Sequence, residues 1–94
     1  MIELKDGAVI VSGAITLETV PDLVNAIAEH LDHGTRHIDL SRVAEVDSSA
    51  VALLLEWQRQ ATSRGASLSW GGMPAALQNL ANLYGVQELL PVEA

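Results

Sequence analysis

The 94-residue sequence contains no cysteine and no phenylalanine, and aromatic residues make up only 3% of it. Without cysteine the chain has no disulfide bond, no thiolate metal site and no cysteine nucleophile. Hydrophobic residues nevertheless make up 49% of the chain, so its core must consist of leucine, valine, isoleucine and alanine. Trp57, Trp70 and Tyr84 therefore stand out as the only large aromatic side chains.

Positive charge is also scarce. The chain has 5 Lys and Arg residues against 12 Asp and Glu residues, which gives a formal net charge of −7. There is no basic run, so the charge opposes binding to nucleic acid or to anionic lipid headgroups. Because Lys5 is the only lysine, the chain also lacks the glycine-rich loop with a lysine that binds nucleotide phosphates.

Long hydrophobic runs are missing as well. The first residues do not form a basic region followed by an apolar run, and no apolar stretch is long enough to span a bilayer. We therefore expect a soluble, cytoplasmic protein with no segment inserted in the membrane. A chain of this length suits one domain with a single core, residues 1–94.

The beginning of the chain predicts a β-hairpin. Residues 2–4 alternate in polarity, residues 8–11 are rich in β-branched side chains, and Asp6-Gly7 between them is typical of a two-residue hairpin turn. We expect Gly13 to end the second strand.

A helix is predicted next. Thr19 and Pro21 supply a cap and an early proline, and Gly34 is a typical helix-ending residue. Apolar residues recur between them at helical spacing: Val20, Leu23, Val24, Ile27 and Leu31.

The remaining sequence predicts two further strands and two further helices. The predicted elements are a strand over residues 36–40, a helix from Ser49 to about Ser63, a strand over residues 67–70, a helix that opens at Pro74 and ends before Gly85, and a short turn or helix over residues 86–90. The resulting order β-β-α-β-α-β-α predicts an α/β layer structure.

The helix that starts near Ser49 is apolar almost all round in its first two turns. A surface helix normally has one apolar stripe, so this pattern predicts burial on more than one side. In a domain with only one core, the second apolar face suggests a partner. Trp57 lies on the stripe formed by Ala50, Leu53, Leu54 and Ala61, where it either closes the core or forms part of an interface.

The polar residues before this helix have two interpretations. Asp47, Ser48 and Ser49 stand where side-chain oxygens cap free backbone N–H groups, which explains at least one of the three. A helix N-terminus also accommodates negative charge, so Ser48 is a candidate phosphorylation site. We expect Asp39, in the preceding strand, to support the loop that carries Ser48.

Other candidate sites are weaker. His30 and His33 belong to the predicted last turn of the first helix, and no carboxylate cluster follows them, so we expect no metal site. The sequence contains the residue types of a hydrolase triad in Ser48, His37 and Asp47. The sequence has neither a nucleophile elbow nor an oxyanion loop, and we expect no enzymatic activity and no cofactor.

The segment Ile38-Asp39-Leu40-Ser41, followed by Val46-Asp47-Ser48-Ser49 and an apolar helix, resembles the signature of the STAS domain (sulfate transporter and anti-sigma factor antagonist). The resemblance covers nearly the whole chain. It implies a single α/β domain with a mixed sheet of about four strands and helices packed mainly on one side. Residues 53–57, residues 80–86 and Leu89-Leu90-Pro91 are most similar to the MlaB-type branch.

The MlaB-type branch is the small cytoplasmic STAS subunit of a Gram-negative ABC system that maintains outer-membrane lipid asymmetry. The resemblance implies a module that binds the ATPase subunit of a phospholipid-transporting complex, stabilises or activates it, and is peripheral to the inner membrane through that partner. In this branch the hydroxyl at the position of Ser48 is implied in ATPase binding. The residues predicted to bind the partner are Asp47, Ser48, Ser49, Leu53 and Trp57.

The alternative is an anti-anti-sigma factor. In that group the first hydroxyl after the aspartate is phosphorylated by an anti-sigma serine kinase, and this position is Ser48 here. Both groups often have glycine one or two residues later, where this chain has Ser49 and Ala50.

Overall fold

The computed structural model describes residues 2–31 and 34–86, and it begins with the antiparallel hairpin predicted from the sequence. Strand β1 (Ile2–Lys5) pairs with β2 (Ala8–Ile15). Asp6 and Gly7 both have positive φ, 52° and 81°, as a primed two-residue turn requires.

The prediction that Gly13 ends the second strand is wrong. Strand β2 continues to Ile15, and its register against the next strand shifts between Gly13 and Ala14. Gly13 has a φ of 84°, which glycine adopts without steric cost. The glycine therefore marks an irregularity in the ladder, after which pairing resumes.

The predicted continuous first helix is also wrong. Helix α1 covers only Val20–Leu23, and after a series of turns a short 3-10 helix follows at Ala28–His30. The apolar spacing still describes burial, because Leu23, Ile27 and Leu31 all belong to the core. Apolar spacing therefore identified the buried face but not an unbroken helical hydrogen-bond ladder.

The four strands form one mixed sheet in the order β1-β2-β3-β4. Strand β3 pairs in parallel with both β2 and β4. Alternate strand residues such as Val9 and Ile38 pack against the helices in one core. The helices therefore lie on one face of the sheet, which confirms the predicted fold class. The remaining elements are β3 (Gly34–Val46), α2 (Ser48–Ser63), β4 (Ala66–Gly71) and α3 (Ala75–Leu83).

Helix α2 confirms the helix predicted from Ser49 and lies among α1, β4 and α3. Its several apolar sides are therefore covered within the chain, and the inference that a second apolar face requires a partner is wrong. None of the helices formed by the described residues has the length and apolar character that crossing a bilayer requires. Of the predicted turn or helix at residues 86–90, only Val86 lies within the described residues.

Candidate functional site

The residues between β3 and α2 form a compact cap. Asp47 occupies the N-cap position in an extended conformation, and its Oδ1 accepts the backbone N–H of Ser49 at 2.9 Å. The Ser49 hydroxyl donates to the same oxygen. Capping therefore accounts for Asp47 and Ser49, because these two satisfy a free donor at the start of the helix.

Ser48 has a different environment. It is exposed, and within the described residues its hydroxyl has no hydrogen-bond partner. Because Asp47 and Ser49 already make the cap, the Ser48 hydroxyl is left available to solvent at the first position of α2. A free donor and acceptor held at a fixed helix end is suited to contact with another molecule.

The carboxylate of Asp47 also holds a second segment of the chain. Its Oδ2 accepts the backbone N–H of Leu17 at 3.0 Å, and the Asp47 N–H donates to the carbonyl oxygen of Ile15 at 3.3 Å. The hydrogen bonds from the Ser49 side chain and then from the Leu17 backbone lower the pKa of Asp47 below its usual value. The ionised carboxylate thus ties the loop of residues 16–19 to the start of α2.

Leu17 is the site residue that sequence reasoning missed. Its side chain is 73% exposed although it is apolar. The available signal was a leucine within the polar run Thr16-Leu17-Glu18-Thr19, where it belongs to no helical or strand periodicity.

A cleft of about 360 Å³, which we call the Leu17 cleft, lies beside this loop. Three of its lining residues are carboxylates: Glu18, Glu45 and Asp47. The other lining residues described are Ala14, Thr16, Leu17 and Thr19, so no basic side chain occurs among them. The cleft therefore combines an exposed apolar side chain with negative charge.

Asp39 does not support the Ser48 loop as predicted. Its Oδ1 accepts the backbone N–H of Ser41 at 2.8 Å, two residues along the same strand. Hydrogen bonds from Ser41 lower the pKa of Asp39. Asp39 also pairs with Gly71 at the end of the β3–β4 register. Its hydrogen bond with Ser41 therefore stabilises β3 where the β2–β3 register shifts, between Ile10 and Ser12.

Two residues predicted to bind the partner are buried. Trp57 is 0% exposed, and Leu53 is buried as well. The Trp57 indole N–H donates to the carbonyl oxygen of Leu23 at 3.1 Å, and its ring stacks on Trp70 with 6.4 Å between centroids. The prediction that Leu53 and Trp57 contact a partner is therefore wrong, because both side chains are enclosed by the chain itself.

The histidine-based alternatives also lack the necessary geometry. His37 lies near the start of β3, where its Nδ1 is 2.9 Å from the Ser69 hydroxyl. Ser48 follows the opposite end of that strand, so the two residues of the hypothetical triad are kept apart. Within residues 2–31 and 34–86, no three His, Cys, Asp or Glu side chains are grouped to hold a metal ion, and His33 lies outside this part of the chain.

A family model described as "Mlab, STAS domain" matches residues 2–91. The chain belongs to the STAS domain family. No curated protein matches the sequence.

Solved STAS-related structures share the fold. The anti-sigma factor antagonist SpoIIAA, in its unphosphorylated form, is 14% identical with a TM-score of 0.73, over 100% of this chain and 87% of that one. A protein of Thermotoga maritima described as an anti-sigma factor antagonist is 12% identical with a TM-score of 0.75, over 98% and 83%. A STAS domain protein of Planctomyces limnophilus is 11% identical with a TM-score of 0.71, over 98% and 86%. At these identities the similarity shows the fold.

Proposed function

We propose that this chain is an MlaB-type STAS subunit that binds the ATPase subunit of a phospholipid-transporting ABC complex and stabilises or activates it. The observation that carries the proposal is the Ser48 hydroxyl, which is exposed and unpaired at the start of α2. The description of the matching family model supports the choice of branch. The chain itself is assigned no enzymatic reaction.

In this proposal the partner contacts a preformed surface. Asp47 holds the Ser48 position and the loop of residues 16–19 together, so little conformational entropy is lost on docking. The net charge of −7 suits a partner with a basic patch. The chain would lie in the cytoplasm, peripheral to the inner membrane of a Gram-negative bacterium through its ATPase partner.

The test is co-purification of the tagged chain from its own host, with the recovered proteins identified by mass spectrometry. We expect an ABC ATPase subunit, together with its permease. Recovery of a serine kinase without any ATPase would overturn the proposal. The neighbouring genes provide an inexpensive second test, because a transporter operon and a sigma-factor operon encode different partners.

The second candidate is an anti-anti-sigma factor that is phosphorylated at Ser48. The same unpaired hydroxyl supports it, because a kinase needs an accessible acceptor, and the N-terminus of α2 tolerates added negative charge. The fold shared with anti-sigma factor antagonists is compatible with this role. Intact-mass measurement after incubation with ATP and the host's anti-sigma kinase would reveal one added phosphate in wild type and none in Ser48→Ala.

A further inference from the structure

Leu17 is exposed but not loosely held. Its N–H donates to Asp47, the Thr16 N–H donates to the Thr19 hydroxyl at 2.9 Å, and the N–H of Val20 donates to the Thr16 carbonyl oxygen at 2.9 Å. An apolar side chain that is left in water on an ordered loop keeps its unfavourable hydration free energy and contributes nothing to the core. It also needs little further ordering when another molecule covers it.

The outward face of α2 continues this surface. Ser48, Ala52 and Leu55 follow one another at spacings of four and three residues, which places them on one side of the helix. Ser48 and Ala52 are exposed and Leu55 is partly exposed. The surface beside the cleft is therefore small and weakly apolar, and one turn further on it ends at the paired charges of Glu56 and Arg59.

Charge decides which partner suits this surface. Glu18 and Glu45 are exposed at the cleft, and neither forms an ion pair within the described residues. A second copy of this chain, itself at −7, would bring like charge to the same place. A positively charged segment would instead pair with the carboxylates of Glu18 and Glu45.

We propose that the Leu17 cleft and the outward face of α2 dock a basic segment of the ATPase partner that presents Arg or Lys beside an apolar side chain. The apolar side chain packs on Leu17, and the cation pairs with Glu18 and Glu45. This inference rests on the proposed function and identifies the partner chemistry that the same site would select.

The experiment measures the affinity of the purified ATPase subunit for Leu17→Ala and for the double variant Glu18→Gln, Glu45→Gln, at two salt concentrations. Leu83→Ala is the control for the first, because Leu83 is 76% exposed but lies on α3. The double variant Glu3→Gln, Glu29→Gln is the control for the second, because it removes two exposed carboxylates elsewhere. Thermal melting of each variant alone checks that all of them fold.

We expect Leu17→Ala to weaken binding about tenfold, as loss of an anchoring side chain commonly does. The cleft double variant should slow association several-fold and flatten its salt dependence, whereas the controls behave as wild type. If wild type binds and both cleft variants match their controls, this inference is wrong while the proposed function stands. If wild type does not bind the ATPase at all, the proposed function is wrong and the inference falls with it.

Discussion

At the scale of single residues, neighbouring side chains at the start of α2 have separate roles. Asp47 organises the structure through both of its carboxylate oxygens, and Ser49 completes the cap. Ser48 takes no part in these bonds, so its side chain can be changed without disturbing them. This separation makes the function of Ser48 testable apart from stability.

We expect Ser48→Ala and Ser48→Glu both to stay folded, with melting temperatures close to wild type, because exposed substitutions of this kind usually change stability by less than about 0.5 kcal/mol. Ser48→Glu should weaken ATPase binding, because it places a longer side chain, with a charge that must be desolvated, where the partner contacts a small hydroxyl. Calorimetric titration of each variant measures this effect, and Ser63→Glu, exposed at the far end of α2, is the control. If Ser48→Glu binds the ATPase with the affinity of wild type, the docking surface does not include Ser48.

Trp57 belongs to the core, and its substitution should act on stability. Trp57→Ala should lower the free energy of unfolding by about 3–5 kcal/mol, because it leaves a cavity against Trp70 and removes the hydrogen bond from the indole N–H to the Leu23 carbonyl oxygen. Trp57→Phe keeps most of the packing and should lose less. Urea unfolding measures both variants. A Trp57→Ala protein as stable as wild type but defective in binding would contradict the core assignment.

At the scale of elements, a close approach of backbones joins β3 to the segment that follows β4. Gly72 has a φ of 65°, and a Cβ built there would lie 2.7 Å from the Ser41 Cβ and 2.9 Å from its backbone nitrogen. Asp39 orders the same part of β3 through the Ser41 N–H. The turn between β4 and α3 therefore depends on glycine for two reasons, conformation and space.

Gly72→Ala should consequently be more destabilising than Gly85→Ala. Gly85 has a φ of 69° after α3, but among the described residues nothing lies within 4 Å of the position that a Cβ would occupy there. Each substitution should lower the free energy of unfolding by about 1 kcal/mol or more, because alanine is strained in the left-handed conformation. Only Gly72→Ala should lose about 1–3 kcal/mol more, because its Cβ would also overlap Ser41. Chemical denaturation of the two variants compares them directly, and equal losses would show that β3 moves aside at little cost.

At the scale of the whole molecule, carboxylates dominate the response to pH. Hydrogen bonds lower the pKa of Asp39 and Asp47. The pKa of Glu56 is lowered to about 2, chiefly because Arg59 donates hydrogen bonds to its carboxylate and to a smaller extent because Gln60 does so. The folded state therefore releases these protons more readily than the unfolded state. The stability that they contribute is complete above the unfolded pKa values and is lost as the pH falls through the folded ones.

We expect the melting temperature to fall as the pH drops from about 4.5 towards about 2, the interval between the ordinary and the folded pKa of Glu56. The chain is near its isoelectric point of about 4.6 at the start of this interval, so its net charge becomes increasingly positive and the growing self-repulsion lowers stability in the same direction. Thermal melts of wild type and Glu56→Gln across this range separate the two effects. The difference between the two proteins should shrink as the pH approaches 2, and a constant difference would mean that ionisation of Glu56 does not stabilise the fold.

Much of the fold follows from local signals in the sequence. The Asp6-Gly7 turn sets the hairpin because both residues adopt positive φ there, and the start of α2 at Ser48 follows from a polar cap before an apolar run. The Asp47 cap was predictable for the same reason. These features depend on interactions between residues a few positions apart, which the sequence alone determines.

The tertiary structure decided the features that depend on distant residues. Pairing with β2 extends β3 to 13 residues, although its own sequence predicted only residues 36–40. Packing among α1, β4 and α3 buries Trp57, which the apolar pattern could not distinguish from an interface residue. Leu17 reaches the Ser48 site through a carboxylate 30 positions away, because only the folded sheet brings the ends of β2 and β3 side by side.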